Sequence, residues 1–287
     1  MNYRHAFHAG NFADVVKHAV LARVIAYLKR KDKAFRVIDT HAGAGLYDLA
    51  SDEAARTGEW RSGIGRVMTG ALSADAASLL SPYLDAVRAA NPGGGPSAYP
   101  GSPAIVRHLM RRQDRLTAIE KQPDEAAALK ALFAGDVQTR VIELDGWLAL
   151  GGHLPPKERR GLVLVDPPFE AEGEFERLVG GLLKAHRRWP GGLALLWYPI
   201  KDRAAVAQFR TRLAGAGVPR VLDIRFPLRT PSTEPRLDGS GLIAVNPPFL
   251  LEAELAVILP ALATLLAEPG APAPEAVWLA RETAQGG

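Results

Sequence analysis

Leu162-Val163-Leu164-Val165-Asp166-Pro167-Pro168-Phe169 runs from four apolar residues straight into an acid, two prolines and an aromatic ring. An apolar run that does not alternate with polar residues predicts a strand covered on both faces, as in a sheet with helices on either side. Leu193-Ala194-Leu195-Leu196-Trp197 reads the same way. Further short runs, each bounded by turn residues, lie at Phe35–Thr40, Leu116–Glu120, Arg140–Leu144, Val221–Phe226 and Leu242–Val245. Between them fall helix-like stretches such as Glu125–Ala134, Phe175–Trp189 and Ala204–Ala214. Strand and helix alternate, which predicts an α/β fold with an open, mainly parallel seven-stranded sheet and right-handed crossovers. The last two strands are joined by a Pro-rich loop, Pro227 to Gly241, with no helix, so the last strand is expected antiparallel.

One interval breaks the rhythm. About seventy residues separate the first strand from the second, against roughly 20 to 30 for an ordinary βαβ step. Residues 47–102 are therefore read as a small helical insertion subdomain, with a helix over Ala74–Ala90, within one domain spanning 1–287.

Composition excludes several classes. With no cysteine among 287 residues, neither a disulfide framework nor a Cys-ligated zinc or iron–sulfur site is possible. Radical methylation on a Cys-held cluster is excluded with them. Lys and Arg number 35 against 31 Asp and Glu, a net charge of +4, with a pI near 9.4. That permits a nucleic-acid partner without requiring one. No signal peptide or membrane span is legible: Met1 to Asp14 lacks an apolar core, and Leu250–Ala267 is interrupted by Glu252, Glu254 and Pro260. A cytoplasmic protein without membrane contact is expected.

The chemistry-bearing residues sit at the ends of consecutive strands. Strand one runs into Asp39-Thr40-His41-Ala42-Gly43-Ala44-Gly45, whose small residues let the backbone turn tightly against a ligand. The third glycine of the dinucleotide fingerprint is missing, so the turn looks more like the nucleoside-binding turn of S-adenosylmethionine (AdoMet) methyltransferases. A purely structural glycine turn has the same pattern. Glu120 closes strand two, where a carboxylate can accept both ribose hydroxyls, and Asp145-Gly146 follows strand three, where an acid can accept an adenine amino group. Singly, such acids are often only solvated caps.

Asp166-Pro167-Pro168-Phe169 supplies what methylation of an exocyclic amine needs. The amine of adenine is a poor nucleophile because its lone pair is delocalised into the ring. Asp166 and the carbonyl of Pro167 can accept its two N–H groups and align the lone pair with an incoming methyl. Proline fixes φ and brings no competing N–H, while Phe169 offers a face for an extruded base. A second copy, Asn246-Pro247-Pro248-Phe249, follows the seventh strand rather than the fourth and is read as the turn into the C-terminal helix.

The N-terminal block Tyr3–His18 packs aromatic, basic and imidazole groups densely enough to close over a cofactor and touch a polyanion. A metal site from His5, His8 and His18 has no supporting carboxylate spacing, so no metal is expected. Lys29-Arg30-Lys31, Arg111-Arg112, Lys157–Arg160 and Arg187-Arg188 are ordinarily solvated faces, though jointly they can contact phosphates.

Over nearly its whole length the chain resembles the bacterial 23S ribosomal RNA adenine-N6 methyltransferases of the RlmJ type. The resemblance rests on Tyr3–His18, Asp39–Gly45, Tyr99-Pro100-Gly101-Ser102-Pro103, Asp145-Gly146, Asp166–Phe169, Leu196-Trp197-Tyr198-Pro199 and Asn246–Phe249. It implies a Rossmann-like class I AdoMet-dependent methyltransferase acting on one adenine of 23S rRNA as a monomer, with S-adenosyl-L-homocysteine as product. By similarity, His18, His41, Ser102, Glu120, Asp145, Gly146 and Asp166 line the AdoMet site. Asp166, Pro167 and Phe169 form the catalytic loop, and Tyr3, Lys17 and Phe169 meet the RNA. The family's loop commonly ends in Tyr where this chain has Phe169, so stacking is kept and a phenolic hydroxyl is lost. Adenine in DNA or a glutamine side chain in a protein are alternative substrates for such a loop. A catalytically silent RNA-binding module is a further alternative.

Overall fold

The structure, a computed structural model, describes residues 4–231 and 236–282. A single 3-10 turn (His5–Phe7) precedes α1 (Phe12–Lys29), which Asn11 caps by accepting the N–H groups of Ala13 and Asp14 at 3.0 Å each. β1 (Arg36–Asp39) and the short β2 (Leu46–Asp48) come next, then α2 (Asp52–Thr57), α3 (Glu59–Ser62), α4 (Ile64–Thr69) and α5 (Ala74–Ala89). β3 (Ala98–Pro100) pairs back onto β2, so that residues 46–100 leave and return through a two-stranded antiparallel hairpin. The rest alternates: α6 (Ser102–Leu109), β4 (Arg115–Glu120), α7 (Pro123–Leu132), β5 (Thr139–Glu143), α8 (Gly146–Gly152), β6 (Gly161–Val165), α9 (Glu174–Arg188), β7 (Leu193–Ile200) and α10 (Arg203–Ala214). β8 (Val221–Pro227), β9 (Gly239–Val245), α11 (Leu251–Leu266) and β10 (Glu275–Ala280) finish the chain.

The main sheet has the order β10-β8-β9-β7-β6-β1-β4-β5. β5, β4, β1, β6 and β7 are mutually parallel, while β9 runs antiparallel to both β7 and β8. The α/β class, the parallel centre and the antiparallel seventh strand agree with the sequence reading. The strand number does not: an eighth strand, β10, pairs antiparallel with β8 at the edge. Its apolar run, Ala276–Ala280, lies beyond a Pro- and Gly-rich stretch, 268–274, that reads as loop.

Non-alternating strands acquire their meaning from the two layers. Val37, Leu116, Leu162 and Leu164 point into one core with α1, α5, α6 and α11; Ile38, Ile119, Val163 and Val165 point into the other with α8, α9 and α10. Tyr83, Leu84 and Val87 of α5 belong to the first of these cores, so the insertion is seated against α1 instead of standing away from the sheet. No helix among the described residues is long and apolar enough to cross a membrane.

Candidate active site

Parallel strands deliver all their C-terminal ends to one edge, and the ligand crevice of an open α/β sheet lies there. At this edge is a cleft of about 460 Å³. His18, His41, Ser102, Glu120, Asp145, Gly146, Asp166, Pro167 and Phe169 all line it, together with Lys17 from α1. Tyr3, the other residue expected to meet substrate, lies outside the described residues.

The glycine turn after β1 is built for close approach. Gly43 and Gly45 adopt φ of +59° and +83°, a region that side chains with a Cβ rarely enter. The turn is pinned across the sheet by Glu120, whose Oε2 accepts the Gly43 N–H at 2.8 Å while Oε1 accepts that of Gln122 at 2.7 Å. Asp145 caps α8 through the Trp147 N–H (3.0 Å) and takes Lys121 Nζ at 3.1 Å. Burial alone would favour the protonated acid, but Lys121 and the Trp147 N–H hold its carboxyl below the usual range. A Cβ on Gly146 would stand 2.0 Å from the Thr40 carbonyl, so only glycine lets the two strand-end loops touch. His41 packs edge-on against Trp147, and burial pushes its imidazole down to about 4, leaving it neutral.

Asp39 and Ser102 are coupled. Ser102 Oγ donates to Asp39 Oδ2 at 2.6 Å beneath the turn, and burial lifts the Asp39 carboxyl to about 7 despite that bond. His18 is also buried: its Nδ1 is hydrogen-bonded to the Tyr99 hydroxyl at 2.7 Å, and its ring stacks on Tyr99. Its Nε2 has no partner, and burial followed by the charge of Lys17 drives the imidazole well below its ordinary value. The three N-terminal imidazoles thus have separate partners, with His5 on Asp14, His8 on Glu59 and His18 on Tyr99.

The catalytic-loop candidate leaves β6 at Asp166. Lys17 Nζ donates to Asp14 Oδ1 at 2.8 Å and also to Asp166 Oδ2. Burial works against the ammonium, yet the two carboxylates outweigh it and raise its pKa. Asp14 in turn accepts the Gly10 N–H and pairs with His5 Nε2, each at 2.9 Å. Among the described residues no hydrogen bond reaches Asp166 Oδ1. Phe169 is held at φ +53° with its ring edge-on to Phe175 (5.1 Å) and Trp197 (5.7 Å). A bulky residue in the left-handed region is strained, and such strain gathers at functional loops.

The second Asn-Pro-Pro-Phe lies at the opposite edge, because β9 is antiparallel and ends where its neighbours begin. Asn246 tolerates φ +51° and ties the loop down, donating to the carbonyls of Pro190 and Gly192 at 2.8 Å each.

Sequence reasoning assigned no role to Asp14, although its spacing of three residues from Lys17 on a helix signals a shared face. It also missed Glu174 and Arg177, which line the cleft wall. Arg177 lies over the Trp147 ring and donates to Glu174 Oε1, while Glu174 Oε2 is buried without a partner.

Comparison with known proteins adds to this geometry. The family model described as "Ribosomal RNA large subunit methyltransferase D, RlmJ" matches residues 32–280. The chain is 38% identical over 282 residues to ribosomal RNA large subunit methyltransferase J of Escherichia coli, covering 98% of this chain and 100% of that protein. It is 35% identical over 283 residues to the protein of the same name from Haemophilus influenzae, with the same coverage. The crystal structure of protein LPL1258 from Legionella pneumophila superposes with a TM-score of 0.83 at 32% identity, covering 94% of this chain and 97% of that one.

Proposed function

This chain belongs to the RlmJ family of ribosomal RNA large subunit methyltransferases, and from that premise we propose that it transfers a methyl group from AdoMet to the N6 amine of one adenine in 23S rRNA. The observation that carries the reading is Asp166, which follows β6 and lines the cleft with one carboxylate oxygen held by Lys17 and no hydrogen bond to the other among the described residues.

The cleft suits the cofactor. Glu120 would take the ribose hydroxyls and Asp145 the adenine amine. The orphaned Nε2 of His18, with His41, Ser102 and the backbone at Gly146, would complete its surroundings. AdoMet, when bound, supplies a methyl on a sulfonium that is already strongly electrophilic.

The protein's own task is placement. Asp166 Oδ1 and the carbonyl of Pro167 accept the two N–H groups of the target amine and orient its lone pair. Lys17 fixes the rotation of the Asp166 carboxylate, and Asp14 fixes Lys17. Phe169 stacks on the extruded adenine, held by its contacts with Phe175 and Trp197. An imidazole kept neutral at position 41 adds no positive charge beside the sulfonium.

The test is transfer of labelled methyl from AdoMet to unmodified 23S rRNA, with DNA and ribosomal proteins in parallel. Labelled N6-methyladenosine in the rRNA is expected. Label in DNA or protein alone overturns the substrate, and no calorimetric binding of AdoMet or S-adenosylhomocysteine overturns the enzyme. A monomer in a cytoplasmic setting is part of the same reading.

A further inference from the structure

The four basic clusters are far apart in the chain and adjacent in the fold. Residues 29–33, 111–115, 157–160 and 187–188 precede β1, β4, β6 and β7, four mutually parallel strands, so all four segments lie along the edge opposite the cleft. Hydrogen bonds stitch three of them together. Arg111 donates to the carbonyls of Lys31 (2.9 Å) and Lys33 (3.2 Å), and Arg160 donates to Lys33 at 2.7 Å.

These sixteen residues carry twelve Lys and Arg against three Asp and Glu, nine positive charges in excess, while the whole chain has an excess of four. The rest of the molecule is therefore net acidic, and the modest total conceals a strongly polarised surface. Two of the three acids are spent internally, Asp114 on Arg111 and Glu158 on Arg36. Lys31, Arg112, Arg159 and Arg187, one from each segment, are exposed and form no ion pair among the described residues. Clustered like charges repel, so an edge kept this way is costly unless a polyanion screens it.

An aromatic side chain completes the patch. Phe249, from the second Asn-Pro-Pro-Phe, is 69% exposed, with the Arg30 guanidinium 5.9 Å from its ring centre and Tyr27 edge-on at 6.1 Å.

We propose that this edge is a second RNA-docking surface that grips the phosphate backbone of a duplex segment of the substrate away from the target adenine, with Phe249 resting against sugar or base. The inference rests on the rRNA reading given above. Strands of four to eight residues at about 3.3 Å per residue separate the two edges by roughly 13 to 26 Å before loops are added. The nucleotide in the cleft and the phosphates on this edge therefore belong to different parts of the RNA. Duplex RNA is recognised through backbone and shape, which suits a row of fixed cations without base-reading groups.

The experiment uses the full chain and a 20-base-pair RNA duplex lacking any target, followed by fluorescence anisotropy across a salt series. The triple variant Lys31→Glu, Arg112→Glu, Arg187→Glu is expected to bind the duplex at least about tenfold more weakly, with the salt slope reduced by about three. Its melting temperature and its methylation of a short target hairpin stay as in the wild type, and its kcat/KM on full-length 23S rRNA falls. Unchanged duplex binding overturns the proposal, as does binding of the wild type to phosphatidylglycerol vesicles but not to duplex. Equal loss on hairpin and full-length RNA also overturns it. If the wild type methylates no RNA, the rRNA reading fails instead, and the duplex comparison still decides whether this edge binds RNA.

Discussion

Lys17 of α1 and Asp166 at the end of β6, 149 residues apart in sequence, form an ion pair at the floor of the cleft. Lys17 is buried and also holds Asp14, so a single ammonium bridges two carboxylates. This arrangement makes helix α1 part of the cleft, although the helix precedes the sheet.

Replacing Lys17 by Met leaves Asp166 without its ion-pair partner and Asp14 with His5 alone. A buried pair broken from one side costs roughly 3 kcal/mol or more, so urea unfolding should report a loss of that order. Asp166→Asn keeps the shape and leaves AdoMet binding measurable by calorimetry, while methyl transfer falls at least about 100-fold. Full transfer by Asp166→Asn would remove this residue from the chemistry.

The two proline loops predict opposite phenotypes. Asn246→Ala removes two hydrogen bonds at 2.8 Å and places a Cβ residue with less tolerance at φ +51°. A stability loss of about 2 kcal/mol is expected, with transfer per folded molecule unchanged. Thermal denaturation alongside single-turnover methylation separates the two effects.

Phe169→Tyr should retain activity within about twofold, because ring stacking survives the change. Phe169→Ala loses the stacking face, worth about 1–3 kcal/mol per base, and should raise the KM for RNA by about tenfold or more. Equal activity of the Ala variant would show that the extruded base rests elsewhere.

Stability should fall on acidification. His41 is depressed to about 4, chiefly by burial, and His18 is also held well below its ordinary value. A depressed imidazole binds its proton more readily when unfolded, so its contribution is complete above pH 6.5 and is lost as pH drops toward 4. His41→Asn should flatten the melting-temperature profile across that window, by roughly 3 kcal/mol of differential stability at its acid end. An unchanged profile would mean that the imidazole is charged in the native state.

Much of this protein is decided by local pattern. Short apolar runs bounded by turn residues specify strands buried on both faces, whereas the apolar run Leu255–Leu259 lies within the longer helical stretch of α11. The acids at Glu120, Asp145 and Asp166 are visible for the same reason, each closing one of those runs, and the long interval after β1 announces an insertion. β10 is less plain: its apolar run Ala276–Ala280 is only partly buried at the sheet edge and follows a Pro-rich approach that reads as loop.

What tertiary structure alone decided is partnership across the sheet. Strand direction sends Asp166-Pro167-Pro168-Phe169 and Asn246-Pro247-Pro248-Phe249, nearly the same four residues, to opposite edges, so that one faces the cleft and the other anchors a loop. It brings Lys17 to Asp166, and it joins four scattered basic segments into one charged edge that the total of +4 conceals. Net charge and motif are sums and strings along the chain. Fields and sites depend on distance in space, and only the order and direction of the strands set that distance.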